Sequence, residues 1–209
     1  MAASQVTQME AVTENLANAT MPGYKRLNVD HKVFETLLNE MKSGLPRWES
    51  AAGYDPVNID FTPGAIKPTN TPLDFAICGD GFFVVSNKDA REFFTRNGHF
   101  LVDKESNLVN TDGFRVEGEN GSITIPQDVS LSNLTVDTNG TIRDGTRTIA
   151  TLKVVNFNDL TQLTRAGTTL FQAPAGLKQI PPSSETQVIN NALEGSNTSI
   201  FTELTETIS

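Results

Sequence analysis

The sequence predicts a mainly β protein: an irregular antiparallel β domain of short hairpin-linked strands, flanked by N- and C-terminal α-helices that pack together in an assembly. Three observations predict it. Asp-Gly or Asn-Gly pairs punctuate the middle of the 209-residue chain at Asp80-Gly81, Asn97-Gly98, Asp112-Gly113, Asn120-Gly121, Asn139-Gly140 and Asp144-Gly145. Both central residues of a type I′ hairpin turn need positive φ, which these residue types tolerate best. Short runs rich in β-branched and aromatic residues lie between the pairs, about ten residues apart. Both ends of the chain instead carry apolar residues in alternating steps of three and four, the seam of a helix that has a partner.

The first seam is Ala2, Val6, Met9, Thr13 and Leu16, and it stops before Pro22-Gly23, because proline removes a helix donor and glycine frees the backbone to turn. Val33, Phe34, Leu37, Leu38 and Met41 continue at helical spacing until Ser43-Gly44 and Pro46, so residues 1–44 form an N-terminal helical segment. Residues 45–72 hold Pro46, Pro56, Pro63, Pro68 and Pro72 and read as an extended connector. The strands follow over 73–175: Leu73 to Ile77, Phe82 to Val85, Phe93-Phe94, Phe100 to Val102, Phe114 to Val116, Ile123 to Ile125, Leu134 to Val136, Thr141-Ile142, Ile149 to Phe157 and Leu170-Phe171. Residues 176–192, with Gly176, Pro181 and Pro182, are a return connector. The segment 193–209 opens the C-terminal helix, with Asn197, Phe201, Leu204 and Ile208 in 4-3-4 steps after a cap at Ser196 or Ser199.

Charge excludes several functions. Lys and Arg number 16 against 25 Asp and Glu, a net charge of −9, the wrong sign for neutralising a phosphate backbone, so no nucleic acid partner is expected. One cysteine excludes an intrachain disulfide framework, and two histidines with it cannot complete a Cys/His zinc site. No window approaches the roughly 18 apolar residues of a membrane span, so no membrane insertion is expected, and the N-terminus lacks the basic and apolar regions of a cleaved secretory signal.

Catalytic constellations fare no better. His99 follows a hairpin glycine and His31 opens a helix, neither beside a nucleophile motif. Cys78 has Asp74 and Asp80 nearby, which oppose a reactive thiolate, and reads as a small buried residue at a strand end. Asp103-Lys104-Glu105 and Asp137 to Thr141 gather oxygens without the spacing of a calcium loop. No catalytic, cofactor or metal residue and no small-molecule substrate is therefore expected. The terminal seams carry the stronger signal. Helices this short are marginal alone in water, and Ile208 has neither a glycine cap nor a basic last turn beside it, so such stripes are better buried between chains.

Specific strings then carry a resemblance. NLANATMPGYK over 15–25, TPLDFAICGDGFFVV over 71–85 with FTRNGHF over 94–100 and NLVNTDGF over 107–114, and LEGSNTSIFTE over 193–203 resemble ordered blocks of bacterial flagellar rod and hook proteins. The length and the Leu-Glu-Gly-Ser-Asn string resemble the proximal-rod type most, with the distal-rod type second. Glu14 and Met21 depart from the family's usual Asn and Thr. The resemblance implies a structural, torque-transmitting subunit with no cofactor, exported through the flagellar type III apparatus without cleavage of a signal peptide, in a rod that crosses the periplasm. Its partners are other rod and hook subunits and copies of itself in a helical tube, with terminal helices inside and the β domain outside. Val6, Met9, Leu16, Asn197, Ile200, Phe201, Leu204 and Ile208 fall at the assembly interface. Asn15 and Asn18 would satisfy backbone groups of the packed layer, and Pro22, Gly23 and Tyr24 would redirect the chain outward. The family's terminal helices extend further than 1–44 and 193–209, so the latter reads as the truncated start of one. The alternative is an extracytoplasmic β-rich module that binds a ligand or glycan, although the one tryptophan, Trp48, lies in the connector.

Overall fold

The computed structural model describes residues 2–29, 57–201 and 203. The chain forms two compact units: Met1–Ala19, Lys25–Thr62 and Thr198–Ser209 make one, and Thr20–Tyr24 and Pro63–Asn197 make the other. The backbone therefore passes between units at four peptide links, after Ala19, Tyr24, Thr62 and Asn197.

In the first unit, helix α1 (Ala2–Ala17) follows the predicted seam, and strands β1 (Leu27–Val29) and β2 (Val57–Ile59) pair antiparallel with Asn28 opposite Asn58. The helix ends where the Asn18 amide group donates back to the Glu14 carbonyl at 2.8 Å. The predicted second helix over 33–41, His31 and Trp48 lie outside the described residues. At the other end the Glu203 N–H donates to the Ser199 carbonyl at 3.0 Å, a helical i to i−4 bond that opens a turn at Ile200. Of the two flanking helices expected, one full helix, α1, thus stands among the described residues. Leu204 and Ile208 lie outside them.

The second unit begins with β3 (Ile66–Pro68), β4 (Phe75–Cys78), β5 (Phe82–Ser86), β6 (Glu92–Thr95), β7 (Phe100–Val102), β8 (Leu108–Asn110) and β9 (Arg115–Gly118). It continues with β10 (Gly121–Ser122), β11 (Leu134–Val136), β12 (Thr141–Asp144), β13 (Arg147–Thr151) and β14 (Val154–Phe157). The last strands are β15 (Thr164–Arg165), β16 (Leu170–Gln172), β17 (Gln179–Ile180), β18 (Gln187–Asn190) and β19 (Ala192–Glu194). One large sheet runs β15-β16-β6-β5-β9-β8-β7, joined by β10, β14 and β17; β11-β12-β13 form a second sheet, and β18-β4 and β19-β3 are two-stranded. All these pairings are antiparallel.

Strand β5 is the centre of the core. Its apolar run is unbroken because both of its faces are covered. On one face Phe83 meets Phe100 edge-on at 5.4 Å, and on the other Phe82 meets Phe171 edge-on at 5.9 Å. The run from Ile149 to Phe157, expected as one strand, divides. Leu152 leaves the β13 ladder to bridge Gly118, and its side chain is buried, which turns the chain from the three-stranded sheet into β14. Residues 179–180 and 187–190 of the return segment pair with β14 and β4.

Hairpins stand at Asp112-Gly113 (β8-β9), Asn120-Gly121 (β9-β10), Asn139-Gly140 (β11-β12) and Asp144-Gly145 (β12-β13), whereas Asp80-Gly81 and Asn97-Gly98 join strands that pair with other partners, and the turn type also differs. Type I′ requires positive φ at both central residues, and Asp80, Asn97, Asp112, Asn120, Asn139 and Asp144 are all outside that region. Four loops share another construction. The side-chain oxygen of Asn87, Asp103, Asn110 or Asp137 accepts from the backbone N–H groups two and four residues on, at 2.8 to 3.1 Å. The residue three positions on is left-handed: Ala90 (φ 58°), Ser106 (φ 68°), Gly113 (φ 79°) and Gly140 (φ 81°). This is a tight turn followed by a one-residue bulge, stabilised by an Asx acceptor.

Ala90→Gly or Ser106→Gly should therefore stabilise the protein by about 0.5–1 kcal/mol, since an L side chain is strained in the left-handed region. Gly113→Ala should cost about 1 kcal/mol from backbone strain alone, because the position faces open space. Urea midpoints at constant slope would check both.

The same loops make the protein acid-sensitive. The Asn107 side-chain hydrogen bond is the largest cause holding Asp103 below its ordinary 3.8, helped by backbone donors. At Asp137 desolvation pushes upward but is outweighed by the Thr141 and Asn139 N–H groups and by Arg143, so its net shift is also downward. Folded-state values depressed below unfolded ones add stability that is full above pH 3.8 and is lost as pH falls through the folded values. Denaturation midpoints measured from pH 5 to about pH 2 should fall over that range. Asp103→Asn with Asp137→Asn should flatten the fall, because Asn87 and Asn110 already make the same turns without titrating.

Candidate assembly site

Thr95 closes β6 with its hydroxyl donating to the Thr169 carbonyl at 2.7 Å, and the next residue, Arg96, turns its guanidinium into the protein. There Nη1 donates to Glu194 Oε2 at 3.1 Å, and Nη2 donates to the Gly79 carbonyl at 2.9 Å. The cation sits 5.4 Å from the centre of the Phe82 ring. Arg96 is 4% exposed and Glu194 1%. Burial lowers the Arg96 pKa, opposed by the charge and hydrogen bond of Glu194 and by the charge of Asp80. An arginine stays charged through such a shift.

Glu194 gathers more than its ion pair. Its Oε1 accepts from Gly64 N–H at 2.8 Å, and its backbone carbonyl accepts from Gly23 N–H at 2.8 Å. Gly23 has φ 69°, and a Cβ there would come 2.2 Å from the Asn97 nitrogen, so any side chain would push the Met21-Pro22-Gly23 turn off the Arg96-Asn97 backbone. Tyr24 follows fully buried, its ring 4.6 Å from the Arg165 guanidinium carbon. The Pro-Gly-Tyr, Thr-Arg-Asn-Gly and Leu-Glu-Gly strings, far apart in sequence, thus converge on one buried ion pair.

In the first unit Asn15 has the corresponding place. Its Oδ1 accepts from Leu27 N–H at 2.8 Å and its Nδ2 donates to the Leu27 carbonyl at 2.9 Å, so the side-chain amide pairs with β1 as a neighbouring strand would. Nδ2 also donates to Glu203 Oε2 at 3.1 Å, and Arg26 holds the other carboxylate oxygen. Among the described side chains of α1, Ala11, Val12 and Asn15 are buried, while Met9 is 56% and Leu16 40% exposed. The helix thus uses one face within its unit and leaves Met9, Thr13 and Leu16 of its seam on the surface.

Of the residues predicted for assembly, Met9, Leu16, Ile200 and Phe201 lie on the surface, Phe201 being 84% exposed. Asn18, Pro22 and Asn197 are half-buried. Asn15, Gly23 and Tyr24 are buried within the chain. The side chain of Val6, with Leu204 and Ile208, lies outside what is described. Arg96, Glu194 and Glu203, which hold these segments, were not singled out by sequence reasoning. A signal was present in the two charges set inside apolar strand ends, Phe94-Thr95-Arg96 and Leu193-Glu194.

The residues weighed for chemistry have other roles. Cys78 is exposed rather than buried, because it is the last residue of β4 before the chain turns away through Gly79 at φ 108°. His99 Nδ1 lies 2.6 Å from Asp74 Oδ1 at an isolated bridge between the residues that precede β7 and β4. Asp103 and Asp137 are the loop acceptors described above. A cavity of about 480 Å³ is bordered by Pro22, His99, Asp112, Phe114, Thr168 and Leu170. No serine or cysteine is among the described residues lining it.

Comparison with known proteins identifies the class. The family model of the flagellar hook protein FlgE/F/G D1 domain matches residues 76–143. The flagellar basal-body rod protein FlgF of Salmonella typhimurium is 32% identical over 99% of this chain and 84% of its own length. The rod protein FlgG of Agrobacterium fabrum is 29% identical over 98% of this chain and 85% of its own. The flagellar hook protein FlgE of Rhizobium meliloti is 35% identical over 55% of this chain, which spans 27% of that protein's length. All three relatives are hook or basal-body rod proteins of the flagellum. The chain belongs to the flagellar rod and hook protein family.

Glu194→Gln or Arg96→Met alone should destabilise the protein by about 3–5 kcal/mol, because each leaves a buried charge uncompensated. The double variant should recover part of that loss. Chemical denaturation of the three variants measures the coupling, and additive losses would show that the two side chains act independently.

Proposed function

We propose that this chain is a structural subunit of the flagellar basal-body rod, of the proximal type, which polymerises with other rod and hook subunits and transmits torque from motor to hook. In this reading it leaves the cytoplasm through the flagellar export apparatus without a cleaved signal and takes its place in the periplasmic rod. The near-complete coverage of rod proteins, against partial coverage of the hook protein, supports the rod over the hook.

The observation that carries the reading is the exposure of Met9 and Leu16 on the seam of α1. A 16-residue helix is marginal by itself, and covering the exposed parts of Met9 and Leu16 would contribute about 1 kcal/mol each. Val6, Ile200, Phe201, Leu204 and Ile208 extend the interface at both termini. Burial across many subunits would offset the entropy of ordering these segments. Asn15 and Glu203 would then set the angle at which α1 is presented.

A tagged chain expressed in a flagellated bacterium lacking its own proximal rod protein should co-purify with basal bodies and restore swimming. Met9→Asp with Leu16→Asp should abolish both while leaving the melting temperature of the isolated chain within a few degrees. Absence of the unaltered chain from purified basal bodies would overturn the reading.

A further inference from the structure

The sequence holds three Asn-Gly pairs, Asn97-Gly98, Asn120-Gly121 and Asn139-Gly140. Such a pair is chemically labile, because glycine has no side chain to keep its nitrogen from the side-chain carbonyl carbon of the preceding asparagine. With glycine following each asparagine, the sequence alone predicts equal rates at all three. The fold does not treat them equally. Closing a five-membered ring turns the asparagine backbone out of its folded conformation, so whatever holds that backbone must first open.

Two of the pairs are fastened. The Asn97 N–H donates to Thr95 Oγ1 and its Oδ1 accepts from the His99 N–H, both at 3.0 Å. Gly98 is buried, its carbonyl accepts from the Phe75 N–H at 3.0 Å, and a Cβ on it would lie 1.8 Å from the Phe75 carbonyl oxygen. The Asn139 N–H donates to Asp137 Oδ1 at 3.1 Å, and the Gly140 nitrogen, the attacking atom, donates to the Asp137 carbonyl at 2.9 Å. Gly140 is buried as well, and its carbonyl accepts from the Leu152 N–H at 2.9 Å. Asn120 and Gly121, by contrast, are both exposed. The Asn120 side chain has no hydrogen-bond partner among the described residues, and a Cβ on Gly121 would meet nothing within 4 Å. The nearest backbone anchor before the ring-forming atoms is the Glu119 N–H, on the Thr151 carbonyl at 3.0 Å. Gly121 stands opposite Gly118 at the turn end of the two-residue strand β10, so fraying of that one pair frees its nitrogen.

We propose that Asn120 is a site of spontaneous covalent modification in the folded protein, converting to aspartate and isoaspartate while Asn97 and Asn139 are protected. The Gly121 nitrogen, giving up its proton, bonds to Asn120 Cγ; the Cγ–Nδ2 bond breaks and ammonia leaves with that proton, closing a succinimide ring. Solvent water then opens the ring. Cleavage at Cγ leaves aspartate, and cleavage at the Asn120 backbone carbonyl leaves isoaspartate, through whose Cγ the chain now runs with one more methylene. Either product adds one negative charge to the −9 of the sequence, in a stretch that already holds Glu117 and Glu119. The isoaspartate also lengthens the turn between β9 and β10, which weakens the closing pair of that hairpin.

The test incubates the full chain for days in mildly alkaline buffer, well below its melting temperature, and locates each converted residue by proteolysis and fragmentation mass spectrometry. Conversion at Asn120 should run about tenfold faster than at Asn97 or Asn139, the ratio set by the further hydrogen bonds that must open there. In urea strong enough to unfold the chain, the three rates should converge. An isoaspartyl methyltransferase should label the peptide that carries Asn120. Asn120→Gln, whose longer side chain closes a ring far less readily, should remove both signals at that position and leave the urea midpoint unchanged. Equal rates in the folded chain, faster conversion at Asn97 or Asn139, or conversion of Asn120 only after unfolding would each overturn the proposal. Flagellar assembly enters none of these measurements, so this proposal and the rod-subunit reading fail separately.

Discussion

A guanidinium and a carboxylate taken out of water together each lose hydration worth several kcal/mol, and their attraction repays it only when the remaining donors and acceptors are satisfied. Arg96 and Glu194 approach that condition with groups from across the second unit: the carbonyls of Ile77 and Gly79, the Phe82 ring and the Gly64 N–H. Because the partners are 98 residues apart in sequence, the pair forms only when the end of β6 and the last strand, β19, reach their places. The Gly23 contact with the Glu194 carbonyl adds the turn after α1 to the same requirement. A greasy substitute could match the stability of such a pair, but it would not specify which segments meet.

Elsewhere polar side chains stand in for backbone. Asn15 presents an amide to Leu27 with the geometry of a paired strand, satisfying an N–H and a carbonyl at the edge of β1 that would otherwise need water or another chain. The Asx acceptors of the four shared loops do the same for turn N–H groups. Small apolar cores leave little surplus to cover unpaired backbone, and short side chains with two oxygens, or an oxygen and an amide, are the economical way to close the account.

Much of the fold was legible in the sequence because short strands leave a plain trace: apolar runs about ten residues apart with Gly between them. The turn geometry was not, because an Asn-Gly or Asp-Gly pair fits a two-residue turn and a bulged three-residue loop equally well, and the loops at Ala90 and Ser106 contain no glycine at all. Periodicity located the seam of α1, yet it passed over Asn15, whose polarity conceals that it is the most buried residue described on the helix. Arg96 and Glu194 appeared only as letters in strings that resemble a family, since contact between residues so distant leaves no local pattern. Cys78 was misjudged because a residue type that is commonly buried sits one position beyond the covered part of its strand.

The four passages of the backbone between the two units also bear on the order of folding. Each unit is built from segments that are discontinuous in sequence, so neither is complete until the chain has left it and come back. The links after Ala19 and Tyr24 bracket five residues, whose turn is fastened by Gly23 to the carbonyl of Glu194. A crossing so short cannot be completed before Glu194, near the far end of the chain, has reached its place, which ties the first segments of the chain to its last strand.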